Sequence, residues 1–261
     1  MISTTEKLRY EISDGTAYLT FDRPEKHNSL TPEMMRDGAR VIHDADANDD
    51  VRAIIVTGTG DEAFCTGADL EETIQEVVEG DADPGPDEDD LFLRHELVRT
   101  PIIAAVNGLC VAGGMEFLQA TDIRIAAESA RFGLQEPRWG IAPVAGSHVR
   151  LPRQLPYCRA MEYLLTGDLF SATHALETGL VNAVVPDGET MARADEIADS
   201  IAENSPTAVR KIKETVHRCA GLRPSDAFRL ETQIGEEIFA TEDAREGPQA
   251  FLEDRNPSFR R

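Results

Sequence analysis

The sequence predicts a mixed α/β protein with a helical region at its C-terminus. Two apolar, strand-like runs each end in a glycine-containing loop that opens a helix, at residues 51–69 and again at 102–116. Repeated β-loop-α units of this kind are typical of α/β folds. From Glu189 onward the hydrophobic periodicity is helical only. A chain of 261 residues can bury a full hydrophobic core, either as one large domain or as one domain with an appendage.

Turn and capping residues place the elements along the chain. Alternating apolar residues around Asp14-Gly15 favour a β-hairpin, and Thr31-Pro32 supplies an N-cap and a first-turn proline for a helix. The predicted elements are a hairpin at 7–21, a loop at 22–30, a helix at 31–48, a strand at 51–57, a helix from about 69, strands at 102–106 and 123–126, helices at 155–165 and 171–178, a strand at 181–185, and helices at 190–203, 206–219, 224–241 and 243–253.

A boundary is predicted at Ser205-Pro206, which is a further cap-plus-proline helix start. It divides the chain into residues 1–204, which carry the mixed α/β pattern and the candidate site, and residues 205–261, which are all helical. The C-terminal helices are amphipathic. Their pattern alone leaves open whether the apolar faces pack within the chain or against another subunit.

The charge is strongly acidic. Asp and Glu total 48 against 26 Lys and Arg, a formal net charge of −22, and only four residues are lysines. Such a surface repels nucleic acid and anionic membranes. It suits either an ordinary acidic cytosolic enzyme or a protein adapted to concentrated salt, where charge screening shrinks to about 3 Å. The scarcity of lysine favours the second interpretation.

The sequence predicts no disulfide framework, no metal site and no membrane-spanning segment. The cysteines at 65, 110, 158 and 219 lack CxxC spacing, and the histidines lack paired-ligand spacing. The N-terminus has no basic segment followed by an apolar one, and no apolar run reaches 18 residues. The sequence therefore predicts a cytoplasmic protein with no metal. One acidic, Pro- and Gly-rich stretch at 80–90 is interpreted as a mobile surface loop, with a calcium site as the alternative.

Two glutamates stand out near glycine-rich loops. Glu116 follows Gly113-Gly114 at the predicted start of a helix, and Glu136 lies 20 residues further on, in a segment broken by Pro137. Backbone amides at a helix start are unpaired and can hold an anionic oxygen. Two carboxylates beside a carbonyl polarised in this way are suited to acid–base chemistry with water. No GxGxxG motif follows a strand, so dinucleotide binding is not predicted.

An ordered set of motifs spans nearly the whole chain. The motifs are DRPEKHNSL at 22–30, AFCTGADL at 63–70, VNGLCVAGGME at 106–116, LTGD at 165–168, GLV at 179–181 and ATEDAREG at 240–247. Together they resemble the enoyl-CoA hydratase/isomerase (crotonase) family. The resemblance implies a crotonase-like ββα-spiral with a C-terminal helical region that packs against neighbouring subunits. It also implies a homotrimer or homohexamer, an acyl-CoA substrate and no separate cofactor, because coenzyme A is part of the substrate.

The resemblance also assigns roles to residues. The amides of Ala68 and Gly113 would hold the thioester oxygen in an oxyanion hole, and Glu116 and Glu136 would be catalytic. Hydrating members carry carboxylates at both glutamate positions, whereas several isomerases keep only one or neither. Because both are present, the predicted reaction is the reversible syn addition of water to a trans-2-enoyl-CoA.

The predicted substrate-binding residues are Lys26, Ala68, Asp69, Leu70, Trp139 and Val144. Lys26 is a candidate for a CoA phosphate, as is Arg255 for a neighbouring subunit's CoA. Trp139 either lines the acyl pocket or packs in the core. Val144 replaces a glycine that is common in hydratases, which leaves a Δ3,Δ2-enoyl-CoA isomerase as the alternative function. A non-catalytic acyl-CoA binder is a further alternative, and the acidic charge disfavours an RNA-binding relative.

Overall fold

Two sheets form the centre of the computed structural model, which describes residues 6–74 and 90–259. The larger sheet has six strands in the order β1-β2-β3-β5-β7-β10, and the smaller has four in the order β4-β6-β8-β9. The strands are β1 Leu8–Ser13, β2 Thr16–Phe21, β3 Ala53–Gly58, β4 Ala63–Cys65, β5 Ile102–Val106, β6 Leu109–Val111, β7 Ile123–Ala127, β8 Arg131–Gly133, β9 Phe170–Ser171 and β10 Ala183–Val185.

The first two strands form the hairpin that the sequence predicts. They pair antiparallel, with Leu8 opposite Phe21 and Ser13 opposite Thr16. Asp14 and Gly15 have φ values of 49° and 82°. Two successive left-handed residues make the turn that matches the twist of paired strands. From β2 to β10 the strands of the larger sheet run parallel.

The middle of the chain repeats one pattern three times. A strand of the larger sheet (β3, β5 or β7) is followed within a few residues by a strand of the smaller sheet (β4, β6 or β8), and then by a helical turn. β4, β6 and β8 are parallel neighbours. The chain therefore winds as a spiral of ββα units, as predicted, and the carboxyl ends of the three short strands meet at one edge.

The helices are α1 Pro32–Ala47, α2 Gly113–Leu118, α3 Ser147–Gln154, α4 Tyr157–Thr166, α5 Ala172–Thr178, α6 Thr190–Ala202, α7 Pro206–Cys219, α8 Pro224–Phe239 and α9 Asp243–Leu252, with 3-10 turns at Pro24–Lys26 and Glu136–Trp139 and a π-turn at Leu70–Ile74. The predicted caps of α1, α5 and α7 are confirmed, because Thr31, Ser171 and Ser205 each accept a hydrogen bond from an amide three residues on.

Some predicted boundaries shift. The helix α3 was not predicted, since its apolar residues are few and Pro152 lies within it. The loop predicted at 22–30 contains a 3-10 turn, and the strand predicted at 181–185 shortens to β10. Of the acidic stretch at 80–90, only Asp90 is described, so its loop and calcium interpretations lie outside the described residues.

The central strands of the larger sheet, such as β3 and β5, are buried on both faces. One face belongs to the main core, built around large side chains such as Phe21, Phe64 and Phe117. The other packs against α6 through Ala194 and Ala198. Burial on both faces is the usual state of a parallel sheet. No helix within the described residues is long and apolar enough to cross a membrane.

Candidate active site

Three loops meet at the carboxyl edge of the smaller sheet. The loop after β4 carries Gly67 and Ala68, the loop after β6 leads into α2, and the segment after β8 leads to Glu136. Because the three strands are parallel neighbours, these connections lie side by side. Ligand sites of parallel sheets form at such an edge.

The first two loops touch through glycines. A Cβ atom placed on Gly67 would lie 2.6 Å from the Gly113 nitrogen, and Gly67 has φ of 85°. A Cβ atom on Gly113 would lie 3.5 Å from the Ala68 nitrogen. Residue 67 must therefore lack a side chain, both for its backbone conformation and for this close approach. The approach places the amides of Ala68 and Gly113 next to each other.

These two amides are free to bind a ligand. Among the described residues, no backbone carbonyl accepts a hydrogen bond from the amide of Ala68 or Gly113. Gly113 is the first residue of α2, where the helix leaves its amides unpaired. Ala112, at the N-cap, has φ of 50°, an uncommon value for a residue with a side chain. The local backbone thus presents two donors in one place.

Glu116 lies in the first turn of α2 and is only 4% exposed. Its Oε1 accepts a hydrogen bond of 3.1 Å from the Ser147 amide. Burial raises the pKa of Glu116, while hydrogen bonds from the amide and hydroxyl of Ser147 and from the amide of Ala145 act against that rise. The Glu116 carboxylate is thus buried, but it accepts hydrogen bonds that favour its ionised form.

Glu136 opens the 3-10 turn Glu136–Trp139 and is 7% exposed. Its Oε2 is buried and has no hydrogen-bond partner among the described residues. Burial raises the pKa of Glu136 to about 7; its own backbone amide lowers the pKa, and the charge of Glu116 raises it. The two carboxyl groups therefore lie within electrostatic range of each other in one buried place, and the less supported of them favours the protonated form.

Comparison with known proteins identifies the family. A sequence model described as enoyl-CoA hydratase/isomerase matches residues 11–261. The chain belongs to the enoyl-CoA hydratase/isomerase family. It is 42% identical to the enoyl-CoA hydratase EchA19 of Mycobacterium tuberculosis over 247 residues, covering 94% of this chain and 92% of that protein. It is 37% identical to the short-chain-enoyl-CoA hydratase of Clostridium acetobutylicum, with 92% of each covered.

Solved structures of this family share the fold. A putative enoyl-CoA hydratase/isomerase from Mycobacterium abscessus superimposes with a TM-score of 0.89 at 40% identity, covering 98% of this chain and 99% of that one. An enoyl-CoA hydratase from M. tuberculosis gives a TM-score of 0.90 at 32% identity, with 98% and 99% covered. The crotonase fold predicted from the sequence is therefore confirmed.

The predicted substrate-binding residues divide into two inner residues, half-buried Ala68 and buried Asp69, and an exposed set. Ala68 lies in the centre of the site, and Asp69 is buried behind it. The Asp69 carboxylate forms a 3.1 Å ion pair with Arg23 and accepts hydrogen bonds from Ser29 and from two backbone amides. Burial acts to raise the pKa of Asp69, but these hydrogen bonds outweigh it and the pKa is lowered. The Asp69 side chain thus holds the loop in place.

The exposed set lies on the outside of the chain. Leu70, Trp139 and Val144 are 74%, 79% and 71% exposed. The alternative in which Trp139 packs in the core is therefore wrong. Lys26 is exposed and pairs with Glu71 at 3.4 Å, next to Leu70. Substrate contacts of these residues remain predictions.

Arg255 lies near the C-terminus and has partners in its own chain. It forms ion pairs of 2.6 Å with Glu246 and 2.7 Å with Glu253, and these hydrogen bonds raise its pKa. Its predicted contact with a neighbouring subunit's CoA would compete with those pairs.

Sequence reasoning missed Ser147 and Gln119, which lie behind Glu116. Gln119 stands three residues after Glu116, which in a helix puts both on one face, so the spacing could have indicated it. Ser147 comes from the unpredicted helix α3, and nothing in its local sequence connects it with Glu116. Only the tertiary fold brings it there.

Proposed function

We propose that this chain is an enoyl-CoA hydratase that reversibly adds water to a trans-2-enoyl-CoA thioester. The observation that carries the proposal is the pair of buried carboxyl groups, Glu116 and Glu136, beside two unpaired amides. The names of the similar proteins from M. tuberculosis and C. acetobutylicum support the same reaction. Coenzyme A belongs to the substrate, and the proposed chemistry uses no further cofactor or metal.

In the proposed mechanism the thioester oxygen accepts hydrogen bonds from the amides of Ala68 and Gly113. Addition at C3 builds negative charge on that oxygen, and each aimed amide contributes about 3 kcal/mol of transition-state stabilisation. Glu116 accepts a proton from water as the water oxygen bonds to C3. Glu136 donates its proton to C2. One water is thereby added to one double bond, with both new bonds on the face where the carboxyl groups lie.

The opposite protonation states required of the two glutamates agree with their surroundings. Glu116 receives hydrogen bonds that favour its ionised form, whereas Glu136 has an unpartnered oxygen and a pKa of about 7. A base and an acid in one site need pKa values pushed apart in this way.

A proton shuttle by Glu136 alone is the alternative, and it would make the chain a Δ3,Δ2-enoyl-CoA isomerase. The valine at 144, where hydratases commonly carry a glycine, favours that alternative.

A single assay separates these functions. Purified protein is given trans-2-enoyl-CoA and trans-3-enoyl-CoA thioesters of several chain lengths, and the 2-enoyl thioester absorbance is followed. A hydratase consumes that absorbance with 2-enoyl substrates, whereas an isomerase generates it from 3-enoyl substrates. Binding of either thioester without turnover would instead indicate a non-catalytic acyl-CoA binder and contradict the proposal.

We also propose a homotrimer or homohexamer, with the helices of residues 205–261 at the subunit contacts. Large apolar side chains lie exposed on α7, α8 and α9, among them Phe228 at 67%, Phe239 at 80% and Phe251 at 85%. Exposed apolar surface of this kind marks interaction sites. Sedimentation of the purified chain gives its subunit number.

We further propose a cytoplasmic enzyme adapted to concentrated salt, because the net charge is −22 and only four residues are lysines. At low salt the carboxylates repel one another, and molar salt screens that repulsion. Activity and folding are expected to increase from dilute buffer to molar KCl. Full activity in dilute buffer would contradict the salt adaptation and leave the hydratase proposal unaffected.

A further inference from the structure

A buried polar pair supports Glu116 from behind. Ser147 is 0% exposed and Gln119 is 2% exposed, and Gln119 Nε2 lies 2.8 Å from Ser147 Oγ. Neither residue takes part in the proposed proton transfers. Polar side chains are costly to bury unless their hydrogen bonds are made. Which atom donates and which accepts in this pair determines what the Ser147 hydroxyl can offer to Glu116.

The Met115 carbonyl fixes the orientation of the Gln119 amide. Gln119 Nε2 donates to this carbonyl at 3.1 Å as well as to Ser147 Oγ. A carbonyl can only accept, so the nitrogen of the amide group must face it, and the two hydrogens of that nitrogen are then both used. Ser147 Oγ therefore acts as an acceptor toward Gln119. Its own hydrogen remains available for the Glu116 carboxylate.

The residues around this pair are themselves fixed. The backbone carbonyl of Gln119 accepts hydrogen bonds from Arg124 Nη2 at 3.2 Å and from Gln154 Nε2 at 2.8 Å, while its side-chain Oε1 has no partner among the described residues. The Ser147 amide donates to Glu116 Oε1 at 3.1 Å. The Ser147 hydroxyl also acts on this carboxylate and lowers its pKa. Donors to a carboxylate favour its ionised form.

We propose that Ser147, oriented by Gln119, is a positioning residue that keeps Glu116 ionised as the base and so leaves the shared proton on Glu136. This inference rests on the proposed hydratase function. It explains how two neighbouring buried glutamates acquire different roles. Without the hydroxyl, ionising Glu116 would cost more, and the difference between the two glutamates would narrow.

Other charged groups also act on Glu116. Arg94 and Arg150 favour its ionised form by their positive charges, and Glu136 opposes it. Arg94 pairs with Asp90 at 2.8 Å, and Arg150 donates to a backbone carbonyl at 2.6 Å. None of these contacts involves the Ser147 hydroxyl, so its removal leaves them in place.

The test is the pH dependence of kcat/KM for hydration of crotonyl-CoA by Ser147→Ala and Gln119→Leu. The acid limb of the profile should move upward by about one pH unit in Ser147→Ala, the shift expected from losing one hydrogen bond to a charged group. The shift of the acid limb should be smaller in Gln119→Leu, which removes the hydrogen bond that orients the Ser147 hydroxyl but keeps the hydroxyl itself. Below the limb, kcat/KM should fall about tenfold in Ser147→Ala.

Two further variants make the result specific. Ser147→Thr keeps the hydroxyl and should restore the wild-type acid limb. Thr121→Ala removes another buried hydroxyl, one that donates to the Leu118 carbonyl at 2.8 Å, and should leave the limb unchanged. An unchanged limb in both Ser147→Ala and Gln119→Leu, in folded protein, overturns the positioning role. A limb that moves equally in Thr121→Ala also overturns it.

A direct titration separates this inference from the proposed function. Carbon-13 NMR of labelled glutamate, with the Glu116 signal assigned through Glu116→Gln, gives its pKa without any substrate. A higher pKa in Ser147→Ala than in wild type supports the positioning role even if the wild type hydrates no enoyl-CoA. An equal pKa overturns that role even if the wild type is an active hydratase.

Discussion

The helices α2 and α8 differ in the share of their residues that is buried. Every residue of α2, from Gly113 to Leu118, is buried, although the helix has only six residues. In α8, Ile234 alone is buried among sixteen. The described residues enclose the short helix fully and leave the long one largely exposed.

This difference in burial reflects how closely other parts of the chain pack against each helix. A Cβ atom on Gly114 in α2 would lie 2.1 Å from the Cys65 carbonyl oxygen, whereas one on Gly235 in α8 meets nothing within 4 Å. The helix α2 is short because the surrounding strands enclose it, and this enclosure fixes Glu116. The helix α8 presents large apolar side chains that the described residues leave exposed. Close packing is therefore found at the site, whereas exposed apolar side chains such as Phe228, Phe239 and Phe251 lie in the C-terminal helices.

The largest expected effect lies on the α2 side. Glu116→Gln and Glu136→Gln should each reduce kcat for hydration of crotonyl-CoA by about a hundredfold or more, because a proton acceptor or donor is lost. Steady-state kinetics on folded variants measure this. If both variants hydrate crotonyl-CoA like wild type, the assignment of these residues is wrong.

A matched pair of glycine substitutions compares the two helices directly. Gly114→Ala should lower the free energy of unfolding by about 3 kcal/mol, because the added methyl collides with backbone that cannot move aside. Gly235→Ala should raise it by roughly 0.5–1 kcal/mol, because alanine is the better residue in an open helix interior. Urea unfolding of the two variants measures both. A loss at Gly235 would show that α8 is covered after all.

The pH dependence should reveal the unequal glutamates. Glu136 must carry a proton to donate it, and its pKa is raised to about 7. In the hydration direction kcat/KM should therefore fall about tenfold per pH unit above pH 7, and fall again at acidic pH as Glu116 becomes protonated. Rate profiles from about pH 4 to pH 9 test this. A flat profile above pH 7 would mean that Glu136 is not the acid.

The smallest effect on the isolated chain is expected from α8. Phe239→Ser should change the stability of a single chain by less than about 0.5 kcal/mol, because this side chain is 80% exposed. It should nevertheless weaken self-association, which sedimentation velocity measures. Glu231→Ser, at an exposed polar position of the same helix, is the control. Equal subunit numbers for wild type and Phe239→Ser would remove this residue from the proposed contact.

Local signals in the sequence predicted much of the fold. Asp14-Gly15 forms the expected turn, and Thr31, Ser171 and Ser205 cap the expected helices. These features succeed because the cause and its effect lie within a few residues. The helix α3 escaped prediction because tertiary contacts, rather than a strong periodic pattern, stabilise its proline-containing sequence.

The sequence by itself determined the chemical groups of the site and the backbone that permits them. Gly67, Gly113 and Gly114 allow two loops to meet, and Glu116 and Glu136 follow at the loops' ends. Only the tertiary structure decided that the two carboxyl groups differ. The pKa of a buried acid depends on which donors reach it, and Ser147 reaches Glu116 from a helix 31 residues away in the chain. That pairing arises from how the spiral closes, which no local pattern encodes.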